Sequence, residues 1–251
     1  MCTTCGCNSD EPAKMTKAGQ PAKSLLVTGP PQKQYHVLER NVLSKNDQDA
    51  SHNRRHLEES NVLAINLVSS PGSGKTTLLE KTILSLKDEI DFYVIEGDQQ
   101  TMLDADRIKV TGAPVVQINT GKGCHLDAAM VHRALHTLEP VPHAILMIEN
   151  VGNLVCPALF DLGEKYRVVI MSVTEGDDKP LKYPHMFESA DICVINKTDL
   201  LPYVDFRLDK AREYALRVNH KLQFFELSAT KGEGMENWLN WLKHEHHLLP
   251  V

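Results

Sequence analysis

The stretch 63–77, Leu-Ala-Ile-Asn-Leu-Val-Ser-Ser-Pro-Gly-Ser-Gly-Lys-Thr-Thr, leaves this chain few ways to fold. The largely apolar run 63–68 reads as a buried strand, the small residues 69–74 as a loop, and Lys75-Thr76-Thr77-Leu78-Leu79 as the opening of a helix. Strand, loop and helix in that order form the context of a phosphate-binding loop. Small residues let backbone N–H groups turn inward onto phosphate oxygens, and the helix N-terminus adds its positive dipole end. Gly72, Ser73 and Gly74 are therefore expected to cradle phosphate, with Lys75 reaching the β- and γ-phosphates. Thr76 is expected to place its hydroxyl on Mg²⁺, and Thr77 counts with it among the nucleotide-binding residues. The usual first glycine of such a loop is Ser69 here, which still fits but stiffens that position.

The 251 residues suffice for one large α/β domain with an appendage, and 42% hydrophobic residues can fill its core. A net charge of −6 argues against a nucleic-acid or membrane-surface partner. No apolar run reaches the roughly 20 residues of a membrane span, and the N-terminus has no secretory h-region, so a cytoplasmic protein is expected. Three of the six cysteines fall in the first seven residues, which points to metal or redox chemistry in a reducing compartment.

Cys2, Cys5 and Cys7, with Gly6 permitting a tight turn and the α-amino group nearby, form an N/S donor set suited to Ni(II) or Zn(II). Residues 1–35 read as a flexible tail carrying this motif, 36–60 as a polar helical lead-in packed loosely on the main domain, and 61–251 as the nucleotide-binding domain. His52 and His56, i and i+4, share one helix face, either as metal ligands or as part of a solvated polar face.

Beyond residue 61, strands are expected at 62–68, 92–96, 114–118, 143–149, 167–174, 191–196 and 222–228. Helices are expected at 75–89, 99–111, 125–138, 206–219 and 234–247. This alternation predicts an α/β fold with a mostly parallel central sheet flanked by helices. Carboxylates at the C-terminal ends of parallel strands face the ligand crevice. Asp98 is thus a candidate to hold Mg²⁺ or orient water, and it also fits as a helix N-cap. Glu149 ends an apolar strand three residues before Gly152, a variant of the Asp-x-x-Gly pattern near Mg²⁺ and the γ-phosphate. Cys124 and His125 are adjacent metal-ligand types, and one pair cannot close a tetrahedral site. Cys156 is a candidate third ligand; two copies of the pair meeting across a two-fold axis, or a helix-start histidine beside a buried thiol, are the alternatives. Cys156 lies seven residues past Glu149, so a loop that moves on loss of the γ-phosphate would carry this thiol with it. The charged stretch 173–184 singles out no residue.

Asn196-Lys197-Thr198-Asp199 closes a strand. The Asp199 carboxylate matches the N1–H and N2–H₂ donors of guanine, which adenine lacks, so the wrong base leaves a desolvated carboxylate unpaired. Lys197 would lie along the ring, Asn196 would bond guanine N7 and brace neighbouring loops, and Ser228 and Ala229 would supply the last guanine loop. Cys193 reads as core, Trp238 and Trp241 as core or interface, and His244, His246 and His247 as a metal grip or a solvated helix end.

Together these motifs resemble the nickel-incorporation GTPases that mature [NiFe]-hydrogenase, of the SIMIBI class. The resemblance implies a Mg²⁺-dependent GTPase cycling between GTP and GDP, forming a homodimer with facing nucleotide sites. It implies a nickel site at Cys2, Cys5 and Cys7 and a nickel or zinc site at Cys124, His125 and Cys156 on the dimer interface. Lys75, Asp98 and Glu149 would serve hydrolysis, with Thr76, Asp98 and Glu149 around Mg²⁺. Nickel would pass, through a second nickel accessory protein, to the hydrogenase large-subunit precursor. A urease-type nickel GTPase is the alternative enzyme, and a nickel buffer with a vestigial nucleotide site is the alternative of another class.

Overall fold

The computed structural model describes residues 14–15, 23–24, 32–98, 103–121 and 123–250, with side chains from 41 onward. Cys2, Cys5 and Cys7 lie outside the described residues. The chain divides into two compact units, Met1–Lys45 and Asn46–Val251. In the first, β1 (Lys14–Met15) pairs antiparallel with β2 (Lys23–Ser24), and helix α1 (Gln32–Glu59) begins.

The second unit is built on a seven-stranded sheet of order β5-β4-β6-β3-β7-β8-β9, in which every neighbouring pair is parallel. Its strands are β3 (Leu63–Ser69), β4 (Phe92–Asp98), β5 (Val115–Asn119), β6 (Ile145–Glu149), β7 (Tyr166–Ser172), β8 (Ile192–Asn196) and β9 (Gln223–Glu226). The helices α2 (Lys75–Leu86), α3 (Leu103–Val110), α4 (Ala128–Leu138), α7 (Leu208–Val218) and α8 (Met235–His247) follow the expected alternation. β3 and β6 are buried along their whole length, as central strands of a sheet covered on both faces must be. Two short helices, α5 (Lys179–Lys182) and α6 (Pro184–Glu188), lie at and just past the end of the charged stretch 173–184.

Trp238 is fully buried, donates to Thr82 Oγ1 at 2.9 Å and stacks on Trp241, so this pair belongs to the core. Cys193 is also core, and burial pushes its thiol well above the usual range. His246 Nε2 lies 2.7 Å from the His143 carbonyl and His247 Nδ1 lies 2.5 Å from that of Lys243. These rings bind backbone, and no three-ligand group forms there among the described residues.

The second half of α1 is not loosely packed. Ala50 and Asn53 have no exposed surface and Leu57 is buried. Asn46 donates to the Asp161 carbonyl and accepts from the Ala128 N–H, and Asn53 donates to the carbonyls of Ala128 and Leu162. Polar residues on this face are satisfied by backbone across the contact.

Candidate nucleotide and metal sites

The phosphate-loop residues lie between the end of β3 and the start of α2. Gly74 caps α2 in the left-handed region at φ +95°, and a Cβ there would stand 2.5 Å from Asn196 Nδ2. Both facts require glycine at this position. Lys75 and Thr76 are buried at the helix start. Lys75 Nζ donates to Ser69 Oγ at 3.2 Å, so the serine that replaces the usual glycine holds the loop lysine. The half-buried Thr77 accepts at Oγ1 from Arg107 of α3 at 3.2 Å.

Acidic groups converge on this loop. Thr76 Oγ1 donates to Glu149 Oε1 at 2.7 Å, and Lys75 Nζ stands 4.0 Å from the same oxygen. Glu149 is paired in register with Glu96 across β6 and β4, so the two carboxyls share a sheet face. Burial, then the nearby Glu149 and Asp98 carboxylates, push the Glu96 carboxyl up to about 8. Burial raises Glu149 as well, against the opposing pull of Lys75. One oxygen of each, Oε2, is buried and finds no hydrogen-bond partner among the described residues. Two buried carboxyls with unsatisfied oxygens, beside a threonine hydroxyl and the strand-end Asp98, form a donor set that fits a hard divalent cation. Asp98 ends β4. Residues 99–102, where an N-cap role for Asp98 would be read, lie outside the described residues.

A contact that sequence reasoning missed comes from the stretch after β7. Glu175 Oε1 accepts from Ser73 Oγ at 2.6 Å and from the Ser172 N–H, and Lys179 reaches Glu175 and Ser70 Oγ. Glu175 and Lys179 therefore clamp the phosphate loop from the β7 side.

The expected base-recognition residues also come together. Asn196 Nδ2 donates to the Ser73 carbonyl at 2.9 Å, and its Oδ1 accepts from the N–H groups of Lys197 and Ala229. Lys197, at φ +63°, donates from Nζ to the Gly72 carbonyl at 2.7 Å. Asp199 opens a 3₁₀ turn, Thr198–Tyr203, while Ser228 and Ala229 are buried beside the strand ends.

The second cluster is Cys124, His125 and Cys156, whose ligand atoms all lie within 4.8 Å of one another. The sulfurs of Cys124 and Cys156 are 2.6 Å apart, and Cys124 Sγ is 3.7 Å from His125 Nδ1. His125 stacks on Phe160 at 3.9 Å between ring centroids. Burial lowers its pKa, favouring the neutral, ligand-competent imidazole. Two thiols and a neutral imidazole suit Ni(II) or Zn(II), with a further position left for another donor.

One buried residue joins the two clusters. Asn150, next to Glu149, accepts at Oδ1 from the Leu126 N–H at 3.1 Å and donates to Asn66 Oδ1. Gly97 supplies a second contact: a Cβ there would meet the Leu126 side chain at 2.8 Å. The segment carrying Cys124 and His125 thus packs directly on the ends of β4 and β6. Buried asparagine just past a strand end was the available sequence signal.

Residues 63–226 match the family described as CobW/HypB/UreG, nucleotide-binding domain. The hydrogenase maturation factor HypB of Rhizobium leguminosarum bv. viciae is 58% identical over 217 residues, covering 86% of this chain and 73% of the relative. The chain belongs to the HypB members of this family. HypB of Escherichia coli (strain K12) is 56% identical over 206 residues, covering 82% of this chain and 71% of the relative. The crystal structure of hydrogenase maturation factor HypB from Archaeoglobus fulgidus superposes with a TM-score of 0.76 at 40% identity, covering 81% of this chain and 99% of that one. HypB from Helicobacter pylori in complex with nickel gives a TM-score of 0.75 at 39% identity, covering 81% and 95%. The HypB fold is therefore the fold of this chain, and no helix among the described residues is long and apolar enough to cross a membrane.

Proposed function

We propose that the chain is a Mg²⁺-dependent GTPase that binds Ni(II) and releases it, under nucleotide control, for insertion into the [NiFe]-hydrogenase large-subunit precursor. It would act in the cytoplasm as a homodimer, with a second nickel accessory protein taking part in the handover. The observation that carries this reading is the short connection Thr76–Glu149–Asn150–Leu126, which joins the phosphate loop to the Cys124, His125 and Cys156 cluster. The nickel complex of the Helicobacter pylori relative supports the cargo.

In this reading Gly72, Ser73, Gly74, Lys75, Thr76 and Thr77 bind phosphates, and Asn196, Lys197, Asp199, Ser228 and Ala229 bind guanine. Lys75 offsets charge developing on the γ-phosphate. Glu149, already hydrogen-bonded to Thr76, holds the metal side of the site, and Asp98 at the end of β4 orients the attacking water. Thr76, Asp98 and Glu149 would hold Mg²⁺, which would supply positive charge against the phosphates. Cys2, Cys5 and Cys7 would form the N-terminal nickel site, and residues 1–35, 36–60 and 61–251 would act as tether, lead-in and GTPase domain. Zn²⁺ would compete with Ni²⁺ at the Cys124 cluster.

Multiple-turnover hydrolysis of GTP by the purified chain, with Lys75→Ala as control, tests the enzyme. Turnover lost in the variant is the expected result; equal phosphate release by both proteins would overturn the reading. A urease role is a second reading, supported by the Helicobacter pylori (strain J99) hydrogenase/urease maturation factor HypB, 40% identical over 205 residues. Which nickel enzyme loses activity on deletion distinguishes the two.

A further inference from the structure

Four histidines outside both clusters face one another across α1 and α4. His52 and His56 are one turn apart on α1, and His132 and His136 are one turn apart on α4. The His52 and His132 rings stand 5.0 Å apart between centroids, His132 and His136 4.5 Å, and His56 and His136 6.0 Å. With Zn–N near 2.0–2.1 Å in tetrahedral sites, two imidazoles sharing one ion have centroids about 5 Å apart. The Nε2 atoms of His132 and His136 are only 3.1 Å apart. Two nitrogens that close, on residues i and i+4, mark one point in front of the helix face.

The tautomer of His132 is set from behind. Fully buried Asn53 uses Nδ2 to donate to the carbonyls of Ala128 and Leu162, which fixes its amide and turns Oδ1 toward His132 Nδ1 at 3.1 Å. An acceptor there requires Nδ1 to carry the proton, so the His132 Nε2 lone pair accepts from His136 Nε2–H at 3.1 Å, and a cation taking that place would move the His136 proton to its Nδ1. A ring oriented by a hydrogen bond from its other nitrogen is the usual support of a metal-ligating histidine. Burial and the three neighbouring rings hold His132 below its ordinary pKa, against the opposing pull of Asp49. Neutral imidazole is the ligating form. Among the described residues no three of these four rings bring their nitrogens as close together as the Cys124 cluster does, so a third donor reaches the His132–His136 point only when exposed His52 or half-buried His56 turns its ring, and a recess of about 270 Å³ lined by His56 and His136 opens that side to solvent.

We propose that His132 and His136, joined by His52 and His56, form a third metal site that takes a borderline divalent cation such as Zn²⁺ or Ni²⁺ through nitrogen donors alone. Such a site is chemically distinct from the thiolate clusters, and an ion there would staple the second half of α1 to α4.

The test uses the full chain with Cys2, Cys5, Cys7, Cys124 and Cys156 changed to serine, dialysed against Zn²⁺ or Ni²⁺ alone. One retained equivalent per chain is expected, with an X-ray absorption spectrum showing imidazole nitrogen and no sulfur. His132→Gln with His136→Gln should weaken that equivalent at least 100-fold while GTP binding is unchanged. Retention of the ion by the double variant, or no retained ion in the parent, would overturn the proposal. A readout that needs no histidine substitution is ¹⁵N NMR of the rings. Added Zn²⁺ should shift His132 Nε2 while Nδ1 stays protonated; an unmoved Nε2 resonance would equally overturn it.

Discussion

Asn196 Nδ2 donates to the carbonyl of Ser73 at 2.9 Å, tying the end of β8 to the phosphate loop across 123 residues of sequence. The same side chain accepts from the Ala229 N–H at 3.1 Å, so one buried amide aligns the two loops expected to grip opposite ends of a nucleotide. The phosphate and base loops are thereby set relative to each other before any ligand arrives, which lowers the ordering cost of binding.

Asn196→Ala leaves the N–H groups of Lys197 and Ala229 and the Ser73 carbonyl without their partner. Each buried polar group so orphaned costs about 1–3 kcal/mol. A loss on the order of 3 kcal/mol is expected, roughly 6–12 °C in melting temperature for a chain of this size. GTP affinity should fall with it. Thermal melts with and without nucleotide check this, and an unchanged melting temperature would contradict the bracing role.

Asp199→Asn exchanges an acceptor for a mixed amide at the position expected to read guanine N1–H and N2–H₂. GTP affinity should drop by about 100-fold or more, because the base edge then loses its paired acceptor. Xanthosine triphosphate, which carries a carbonyl at C2, should gain. Competition titrations of the two nucleotides against both proteins decide this.

Glu96 faces Glu149 across the β4–β6 ladder, and its carboxyl is pushed up to about 8 from an ordinary 4.5. A carboxyl raised in the folded state keeps a proton that the unfolded chain releases. Its contribution to stability is therefore complete below about pH 4.5 and is lost as pH rises through about 8. Metal-free Glu96→Gln protein should melt a few degrees above the parent at pH 8 and alongside it near pH 4.5. An equal gain at both pH values would contradict this account, and Mg²⁺ should stabilise the parent more than the variant.

Gly97→Ala places a methyl 2.8–3.0 Å from the Leu126 side chain. Overpacking of this kind costs about 1–3 kcal/mol. The strain falls on the segment bearing Cys124 and His125, so metal affinity there should weaken more than GTP affinity. Leu126→Ala in the same chain should restore part of the loss; isothermal titration with Ni²⁺ measures both.

Much of this architecture is legible in the sequence because buried parallel strands carry unbroken apolar runs. β6, Ile-Leu-Met-Ile-Glu, is one such run, and its terminal carboxylate marks the crevice. The helices α5 and α6 were not legible: four and five residues are too few to show a 3.6-residue period, and prolines near their starts read as loop. Glu175 and Lys179 were lost in the same stretch, since dense charge resembles a solvated loop until Ser70 and Ser73 are seen to need partners. Asn46 and Asn53 made α1 look solvated, whereas their amides satisfy backbone groups inside the contact. Cys124, His125 and Cys156 were readable as ligand types and the family resemblance implied their grouping; the residues alone left it open, because it depends on Asn150 and Gly97 drawing the Leu126 segment onto the sheet.

The connection through Glu149, Asn150 and Leu126 predicts that nucleotide state sets metal affinity. Its most direct test is Ni²⁺ affinity of the Cys2→Ser, Cys5→Ser, Cys7→Ser chain, measured once with a non-hydrolysable GTP analogue and once with GDP. The two affinities should differ by about 5-fold or more, the lower end of ordinary coupling between sites, with the difference collapsing in Asn150→Ala. Equal affinities in the two nucleotide states, or a difference that survives Asn150→Ala intact, would contradict it.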